Sequence, residues 1–309
     1  MVRAHYRTVK VSLADEIRWY HGPLVLNWMG VFCFWLVTGL IKVVEGSTRM
    51  VKVAMIQIDV EYGKPAQNFA QVTARLQEAK ALGAQVAVLP EMWNTAYDLT
   101  HLATLADPAG QQTQRVVSQL AKQLALNVVA GSVAIKKDGR YYNTTYIFND
   151  QGALVQTYDK AHRFGPMAED QYLAAGHQVA TYDLAGIRSA SFICYDLRFP
   201  EWWRTAGRAG VDLYYLPAQW PASRIDQWEA LVKARAIENQ AFVVAVNRVG
   251  DDPDNHFNGH SLAVAPSGTI LATGGEQAGI TIVEIDPTAI VAAKALFDIQ
   301  ADRRPDLYQ

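Results

Sequence analysis

Short apolar runs alternate with amphipathic stretches from Met50 onward, and this alternation limits the folds open to the chain. The first run, VKVAMIQIDV, is apolar at adjacent as well as alternate positions, which predicts a strand buried on both faces. Residues 65–82 follow with helical periodicity, and the next run, QVAVLP, ends at Pro90, where the missing N–H favours a break. Strands buried on both faces need helices over them, so the pattern predicts an α/β fold.

The rest of the chain continues in the same way. Residues 142–148 and 153–158 are predicted to form a hairpin across the turn at 149–152. Further helices are predicted over 111–126, 200–209 and 223–240. Further strands are predicted over 127–135, 179–184, 187–193, 211–216, 242–246, 260–265, 269–272 and 280–285. Since no linker, low-complexity tract or repeat interrupts this order, we expect a single domain over 50–309.

Residues 1–49 differ from the rest of the chain. Segment 22–41 contains 20 residues without a charge, which is long enough to span a bilayer. Basic residues precede it, so a single N-terminal membrane anchor is one interpretation. The other is an upstream extension foreign to the native protein, because Met50 opens a strand of the kind that commonly begins a cytosolic domain. We expect the extension and a cytoplasmic protein, with the anchor at 22–41 as the alternative.

Composition and charge exclude several classes of protein. The chain is 50% hydrophobic and 19% charged, as is typical of globular proteins. Its net charge of -2 and its scattered basic residues argue against a nucleic acid partner. Its only cysteines, Cys33 and Cys194, lie in segments too different in character to suggest a disulfide framework.

Cys194 is the candidate nucleophile. It lies in SFICYDLRFPEWW, where an apolar strand ends and Pro200 announces a helix, so we expect its thiol at a strand-to-helix elbow. Such an elbow exposes a nucleophile and brings backbone N–H groups to the place where an oxyanion forms. A thiol with an ordinary pKa of about 8.5 needs a base or a cation nearby to react at neutral pH. The alternative for a lone cysteine is a buried structural role, which we assign to Cys33.

Charged residues at other strand ends are the best partners for this thiol. Glu91 follows a buried strand in VLPEMW, and Lys160 ends a strand in TYDKAH. Functional side chains of α/β proteins commonly lie at such strand ends. A conventional histidine partner is the alternative, with His162, His256 and His260 the nearest by context, although none is well placed by pattern.

The segments LPEMWNTAY, YDKAH and ICYDLRFPEWWR, in this order, resemble the three signature motifs of the nitrilase superfamily of carbon–nitrogen hydrolases. The resemblance covers nearly all of 50–309. It implies a four-layer αββα sandwich, commonly a homodimer, and neither a metal nor an organic cofactor. It implies a catalytic Glu91, Lys160 and Cys194, with a second glutamate at Glu169.

The same resemblance implies the role of each residue. Glu91 would accept the thiol proton as general base, and Cys194 would form a thioester with the acyl group of an amide. Lys160 would remain cationic between Glu91 and Glu169 and, with the backbone N–H of Tyr195, would stabilise the tetrahedral oxyanion.

The segments CYDLRFPEW, WPASRIDQW, ARAIENQAFVVAVNRVG and PDNHFNGHS resemble the omega-amidase branch of this superfamily, which hydrolyses 2-oxoglutaramate and related 2-oxo acid amides. A compact acid substrate needs a fixed cation, which predicts that Arg198 binds its carboxylate while Tyr97 and Trp220 line the pocket. The alternative for these three residues is packing or an internal ion pair. Other readings of the function are an N-carbamoyl, small-amide or nitrile hydrolase, a catalytically silent binding protein and a membrane-anchored acyltransferase relative.

Some positions depart from the family pattern. Ala96 stands where glycine is frequent, Arg163 where an apolar residue is common and Asp170 where histidine often follows the glutamate. These differences affect the loops expected to cover the pocket, and so bear on specificity. The Asp-rich stretch DDPDNHFNGH lacks the regular ligand spacing of a calcium or zinc site and is predicted to be a solvated loop.

Overall fold

The computed structural model describes residues 50–308. The predicted anchor at 22–41 and Cys33 lie outside the described residues. Within 50–308, no helix has both the length and the apolar character needed to cross a membrane.

Strands and helices alternate over part of the described chain, as the sequence predicts. In chain order the strands are β1 (Val51–Gln57), β2 (Val86–Val88), β3 (Asp107–Pro108), β4 (Asn127–Val129), β5 (Val133–Lys137), β6 (Arg140–Phe148), β7 (Leu154–Asp159), β8 (Thr181–Leu184), β9 (Ile187–Ser191), β10 (Leu213–Ala218), β11 (Phe242–Asn247), β12 (Val249–Asp251), β13 (His256–Asn258), β14 (Leu262–Val264), β15 (Ile270–Thr273) and β16 (Gly279–Ile285). The helices are α1 (Pro65–Ala81), α2 (Leu102–Leu105), α3 (Gln111–Leu124), α4 (Glu169–Tyr172), α5 (Pro200–Gly207), α6 (Ile225–Asn239) and α7 (Thr288–Leu296). Strands β4 to β7 and β11 to β16 follow one another without a helix between them.

Two mixed sheets form the centre of the fold. The first has the order β16-β1-β2-β4-β6-β5-β3, with β7 paired to β6, and the second has the order β15-β14-β11-β10-β9-β8. Strands β1, β2 and β4 are parallel, as are β9, β10 and β11. Parallel strands of this kind are usually covered on both faces, which agrees with the largely apolar sequences of β2, β10 and β11.

The two sheets pack face to face and each carries helices on its outer face. Val53 and Met55 of β1 share one buried cluster with Tyr215 of β10 and Val244 of β11, which places this cluster between the sheets. On the outer face of the first sheet, side chains of β1 and β2 pack with those of α1 and α3. On the outer face of the second sheet, side chains of β10 and β11 pack with those of α5 and α6. The predicted four-layer αββα sandwich is therefore confirmed.

Two local predictions need correction. The run predicted as one strand over 127–135 is split into β4 and β5 at Gly131, whose φ of +51° turns the chain. The Asp-rich stretch is not only a solvated loop, because β12 and β13 pair across it and Asp252 caps the turn by accepting the backbone N–H of Asn255 at 2.7 Å. Helix α7 was not predicted, since its sequence TAIVAAKAL has no polar face to mark helical periodicity.

Candidate active site

Glu91, Lys160 and Cys194 come together from the ends of three strands. Glu91 lies just beyond β2, Lys160 directly follows β7, and Cys194 begins a 3-10 turn, Cys194–Arg198, after β9. Strands β2 and β7 belong to the first sheet and β9 to the second. The site thus combines a charged pair from one sheet with a thiol from the other.

The two oxygens of Glu91 have different surroundings. Oε1 accepts hydrogen bonds of 2.8 Å each from the Lys160 ammonium, the Tyr97 hydroxyl and the Asn143 side-chain amide. Oε2 accepts one bond of 2.8 Å, from the backbone N–H of Gln219. Because an ionised carboxylate oxygen offers about two lone-pair sites, Oε1 is saturated and Oε2 retains capacity to accept a proton.

The backbone of Glu91 is held from both sides. The side-chain amide of Gln219 donates to the carbonyl oxygen of Glu91 at 2.7 Å, and the N–H of Glu91 donates to the carbonyl oxygen of Ala218 at 3.4 Å. One residue before Glu91, the chain passes so close to Gly131 that a Cβ there would lie 2.0 Å from the carbonyl oxygen of Pro90. Only glycine fits this position, and the contacts together fix the direction of the carboxylate.

Lys160 lies between two buried carboxylates. Its ammonium is 2.8 Å from Oε1 of Glu91 and 2.8 Å from Oε2 of Glu169, and all three side chains are at most 2% exposed. Burial alone disfavours the ammonium ion, but the Glu169 and Glu91 carboxylates outweigh it and raise the pKa of Lys160. Burial, assisted by the charge of Glu91, raises the pKa of Glu169 despite the attraction of Lys160. Lys160 therefore remains a cation at neutral pH.

Cys194 is held as a buried thiol rather than as a thiolate. Its φ of +44° is left-handed, which is rare for a residue with a side chain and points to a position fixed by its surroundings. Its Sγ lies 3.8 Å from the carbonyl oxygen of Gln219. Burial and the negative charge of Glu91 raise the pKa of Cys194 well above its ordinary value, although Lys160 opposes them. This thiol needs a base to remove its proton during attack.

Asp196 connects the loop of the thiol to the loop of the lysine. Its Oδ2 accepts from the backbone N–H of Ile193 at 2.9 Å and from the hydroxyl of Tyr158 at 2.7 Å. Its Oδ1 lies 3.0 Å from the backbone nitrogen of His162 and 2.7 Å from Nδ1 of the same residue. Ile193 precedes the thiol, while Tyr158 and His162 flank Lys160 by two residues on each side. One fully buried carboxylate thus holds both loops.

A cavity of about 280 Å³, counted with the open space at its mouth, gives access to the thiol. Its lining residues are Tyr97, Phe164, Met167, Cys194, Tyr195, Arg198, Gln219, Trp220, Pro221 and Arg224. In the described part of the chain no carboxylate lines this cavity, whereas two guanidinium groups do. The cavity therefore suits a small ligand that carries negative charge.

The predicted site residues fall into two groups in space. Glu91, Lys160 and Glu169 form the buried cluster, and Tyr97 joins it, because its hydroxyl lies 2.8 Å from Glu91 and 3.1 Å from Glu169. The other predicted residues, Cys194, Tyr195, Arg198 and Trp220, line the cavity. The guanidinium of Arg198 packs over the ring of Trp220, with 4.8 Å between the guanidinium carbon and the ring centroid.

Sequence reasoning did not identify the cavity residues Phe164, Met167 and Pro221, nor the polar residues Asn143, Asp196, Gln219 and Arg224. Asn143 and Gln219 resemble ordinary polar residues in or after a strand. A polar side chain in or next to an otherwise buried strand is nevertheless an indication of a hydrogen-bonding role in the interior. Asp196, two residues beyond Cys194, could have been suspected from its position near the predicted nucleophile. Nothing in the local sequence distinguishes Arg224 from a surface arginine.

A four-layer αββα sandwich with a buried glutamate–lysine pair beside a cysteine is the arrangement of nitrilase-superfamily hydrolases. The carbon-nitrogen hydrolase family model matches residues 52–295, and the chain belongs to this family. It is accordingly an enzyme that hydrolyses carbon–nitrogen bonds.

Similar proteins and structures support this assignment. The chain is 42% identical over 256 residues to a 2-oxoglutaramate amidase of Bacillus subtilis, with 83% of this chain and 98% of that protein covered. It is 28% identical to an omega-amidase of Homo sapiens, with 83% and 96% covered. A carbon–nitrogen hydrolase superfamily protein of Xanthomonas campestris, whose crystal structure holds an arsenic adduct in the active site, superposes with a TM-score of 0.78 at 28% identity, over 83% of this chain and 98% of that chain.

Proposed function

We propose that this enzyme hydrolyses the terminal amide of a small 2-oxo acid, such as 2-oxoglutaramate, to the acid and ammonia. The observation that carries the proposal is the single cavity in which the Cys194 thiol and the Arg198 guanidinium face the same small space. A reactive sulfur at one place and a fixed cation at another suit a molecule with an amide at one end and a carboxylate at the other. The activity of the Bacillus subtilis relative supports the same substrate class.

In the first half of the reaction, Sγ of Cys194 attacks the amide carbon while Glu91 accepts the thiol proton. The new C–S bond turns the carbonyl oxygen into an oxyanion. When this intermediate collapses, the C–N bond breaks, Glu91 returns its proton to the leaving nitrogen, and ammonia departs. The raised pKa of Cys194 supports this order, because the proton must leave the sulfur as the bond forms.

In the second half, Glu91 removes a proton from water as the water attacks the thioester. The C–S bond breaks, the acid is released, and the sulfur regains a proton. Lys160 and the backbone N–H of Tyr195 stabilise the oxyanion in both halves, and Glu169 keeps Lys160 charged and in place. None of these steps requires a metal or an organic cofactor.

The substrate is held by residues of the cavity wall. Arg198 forms a bidentate pair with the substrate carboxylate, with its guanidinium plane supported by Trp220. Tyr97 has a double role, because it lines the cavity and also donates a hydrogen bond to Glu91. Its substitution should therefore alter the chemical step as well as binding.

A substrate panel with ammonia detection tests the proposal. Wild type and Cys194→Ser are compared on small 2-oxo acid amides, N-carbamoyl compounds, simple amides and nitriles. We expect a strong preference for the 2-oxo acid amides and its loss in the variant, together with a hydroxylamine-trappable acyl group on wild type. Preference for an N-carbamoyl compound or a nitrile would redirect the substrate assignment, and undiminished turnover by Cys194→Ser would overturn the mechanism.

We also propose that residues 50–309 form the hydrolase domain and that the enzyme acts as a homodimer in the cytoplasm. The family match over 52–295 supports the domain, and the family resemblance supports the dimer. The strand that opens at Met50, of the kind that commonly begins a cytosolic domain, supports the compartment. Turnover by a chain that begins at Met50 tests the domain, light scattering tests the dimer, and cell fractionation tests the compartment. A membrane fraction that holds the activity would favour an anchor at 22–41 instead.

A further inference from the structure

Arg224 is a second cation in the substrate cavity and has no assigned role. It ends a 3-10 turn, Ala222–Arg224, directly before α6, and it is partly buried. Other arginines nearby are paired, since Arg204 and Arg235 lie 3.0 Å and 2.8 Å from oxygens of Glu238. Among residues 50–308, neither Arg198 nor Arg224 has a carboxylate within 4.0 Å.

The backbone that carries Arg224 is fixed to the wall of the cavity. The indole N–H of Trp220 donates to the carbonyl oxygen of Arg224 at 2.8 Å. Trp220 is itself fixed by the side chain of Asn247. The backbone N–H of Trp220 donates to the side-chain oxygen of Asn247 at 2.7 Å, and the backbone carbonyl oxygen of Trp220 accepts from its side-chain amide at 3.0 Å. The indole that supports the Arg198 guanidinium therefore also fixes the position from which Arg224 extends.

The guanidinium groups of Arg198 and Arg224 differ in the hydrogen bonds that they make within the protein. Arg198 donates to the side chain of Gln227 at 2.7 Å and packs over Trp220. Arg224 packs over the ring of Phe164 at 5.2 Å, and its side chain makes no hydrogen bond to any residue of 50–308. A guanidinium carries five N–H donors, so the donors of Arg224 remain available to a ligand of the cavity.

We infer that Arg224 is a specificity residue that recognises the 2-oxo oxygen beside the substrate carboxylate, while Arg198 holds the carboxylate itself. This inference rests on the proposed function. A 2-oxo carboxylate presents three oxygens on two adjacent carbons, and two forks of N–H donors match that acceptor set better than one. A plain ω-amide of the same length has no oxygen at the second carbon, and its hydrophobic methylene would leave the Arg224 donors unpaired in a confined space.

The test compares two amides of equal length, 2-oxoglutaramate and glutaramate, on wild type, Arg224→Met and Arg198→Met. We expect Arg224→Met to lower kcat/KM at least 10-fold on 2-oxoglutaramate, mainly through KM, and to change it less than 3-fold on glutaramate. Arg198→Met should lower kcat/KM on both substrates by similar factors, because both carry the carboxylate. Arg208→Met, which removes an exposed arginine outside the cavity, is the matched control and should leave both values unchanged.

A second readout does not depend on turnover. Bound product shields Cys194 from iodoacetamide, so protection by 2-oxoglutarate should weaken in Arg224→Met while protection by glutarate should not. Equal losses of kcat/KM on both amides would mean that Arg224 only supports Phe164. An unchanged preference of Arg224→Met for the 2-oxo amide would mean that another residue binds the 2-oxo oxygen. Either result overturns this inference and leaves the proposed function intact. If wild type hydrolyses neither amide, the proposed function falls and this inference falls with it.

Discussion

Gln219 donates two hydrogen bonds to Glu91, although 128 positions separate the two residues. Its backbone N–H donates to Oε2 of the Glu91 carboxylate at 2.8 Å, and its side-chain amide donates to the Glu91 carbonyl oxygen at 2.7 Å. Glu91 follows a strand of the first sheet, and Gln219 follows β10 of the second. The residue that orients Glu91, the proposed general base, therefore also joins the two sheets. The carbonyl oxygen of Gln219 is in turn the neighbour of the Cys194 thiol at 3.8 Å.

Gln219→Ala should reduce both stability and turnover. It keeps the backbone bond to Glu91 but leaves the buried carbonyl oxygen without its donor, which costs about 1–3 kcal/mol of unfolding free energy. Gln240→Ala is the control, since Gln240 is also buried and donates to the carbonyl oxygens of Ala293 and Phe297 away from the site. Urea unfolding should show comparable losses in both variants, while only Gln219→Ala lowers kcat. A normal kcat in Gln219→Ala would contradict this role.

Lys160→Met should destabilise the protein far more than removal of an exposed lysine. It leaves two buried carboxylates without a cation, a loss of about 3–5 kcal/mol, whereas Lys52→Met, which breaks an exposed pair with Glu284, should cost about 0–1 kcal/mol. Adding Glu169→Gln to Lys160→Met should recover part of the loss, because one uncompensated charge is removed. Denaturant unfolding measures all three, and a further loss in the double variant would argue against a charge imbalance.

Alkylation of Cys194 should depend on pH in the manner of a thiol with a raised pKa. Burial and Glu91 favour the protonated thiol, so the thiolate fraction of Cys194, and with it the alkylation rate, is low at pH 7. The rate should still increase at a pH where a free cysteine, with a pKa of about 8.5, is already fully ionised and reacts at a constant rate. Mass spectrometry of the Cys194 peptide after iodoacetamide treatment separates it from Cys33, and glutathione is the reference thiol. A rate for Cys194 that is already at its plateau below pH 8 would indicate a preformed thiolate instead.

Asp196→Asn should impair catalysis through position rather than through binding. An asparagine has one acceptor oxygen where Asp196 has two, so either Ile193 and Tyr158 or the two nitrogens of His162 lose their acceptor. A displacement of about 1 Å in the reacting groups can cost about 100-fold in rate, so we expect kcat to fall on that scale while KM changes by a few-fold. Asp212→Asn, which weakens the partly buried pair with Lys294, is the control. Equal changes in kcat for the two variants would reduce Asp196 to a general structural role.

Ala96→Gly should be unusually well accepted for a buried position. Ala96 has a φ of +53°, a left-handed conformation that costs an alanine about 1 kcal/mol or more relative to glycine. Ala54, equally buried in β1 and outside the left-handed region, is the control. We expect Ala96→Gly to be less destabilising than Ala54→Gly by about 1 kcal/mol in chemical denaturation. Equal losses would show that the lost methyl contacts outweigh the relief of backbone strain.

The sequence by itself determined the α/β class, most helix and strand positions, and three candidate site residues at strand ends, Glu91, Lys160 and Cys194. These follow from local rules: apolar periodicity marks buried faces, and residues at strand ends are directed away from the sheet. Glu169 was predicted only from the family resemblance. The same rules gave wrong or missing elements where the structure depends on a distant contact or where the local sequence has no periodicity. The split at Gly131 depends on the nearby carbonyl of Pro90, and α7 has no polar face to reveal it.

Only the tertiary structure decided which neighbours give those residues their chemistry. Asn143 and Gln219 bond Glu91 across 52 and 128 positions of sequence, and Arg224 meets Cys194 across one cavity. Hydrogen bonds and desolvation act over a few ångströms in space, so they depend on packing and not on sequence separation. For this reason the sequence indicates the candidate catalytic residues, whereas the protonation state of the Cys194 thiol and the positive lining of the cavity emerge only from the fold.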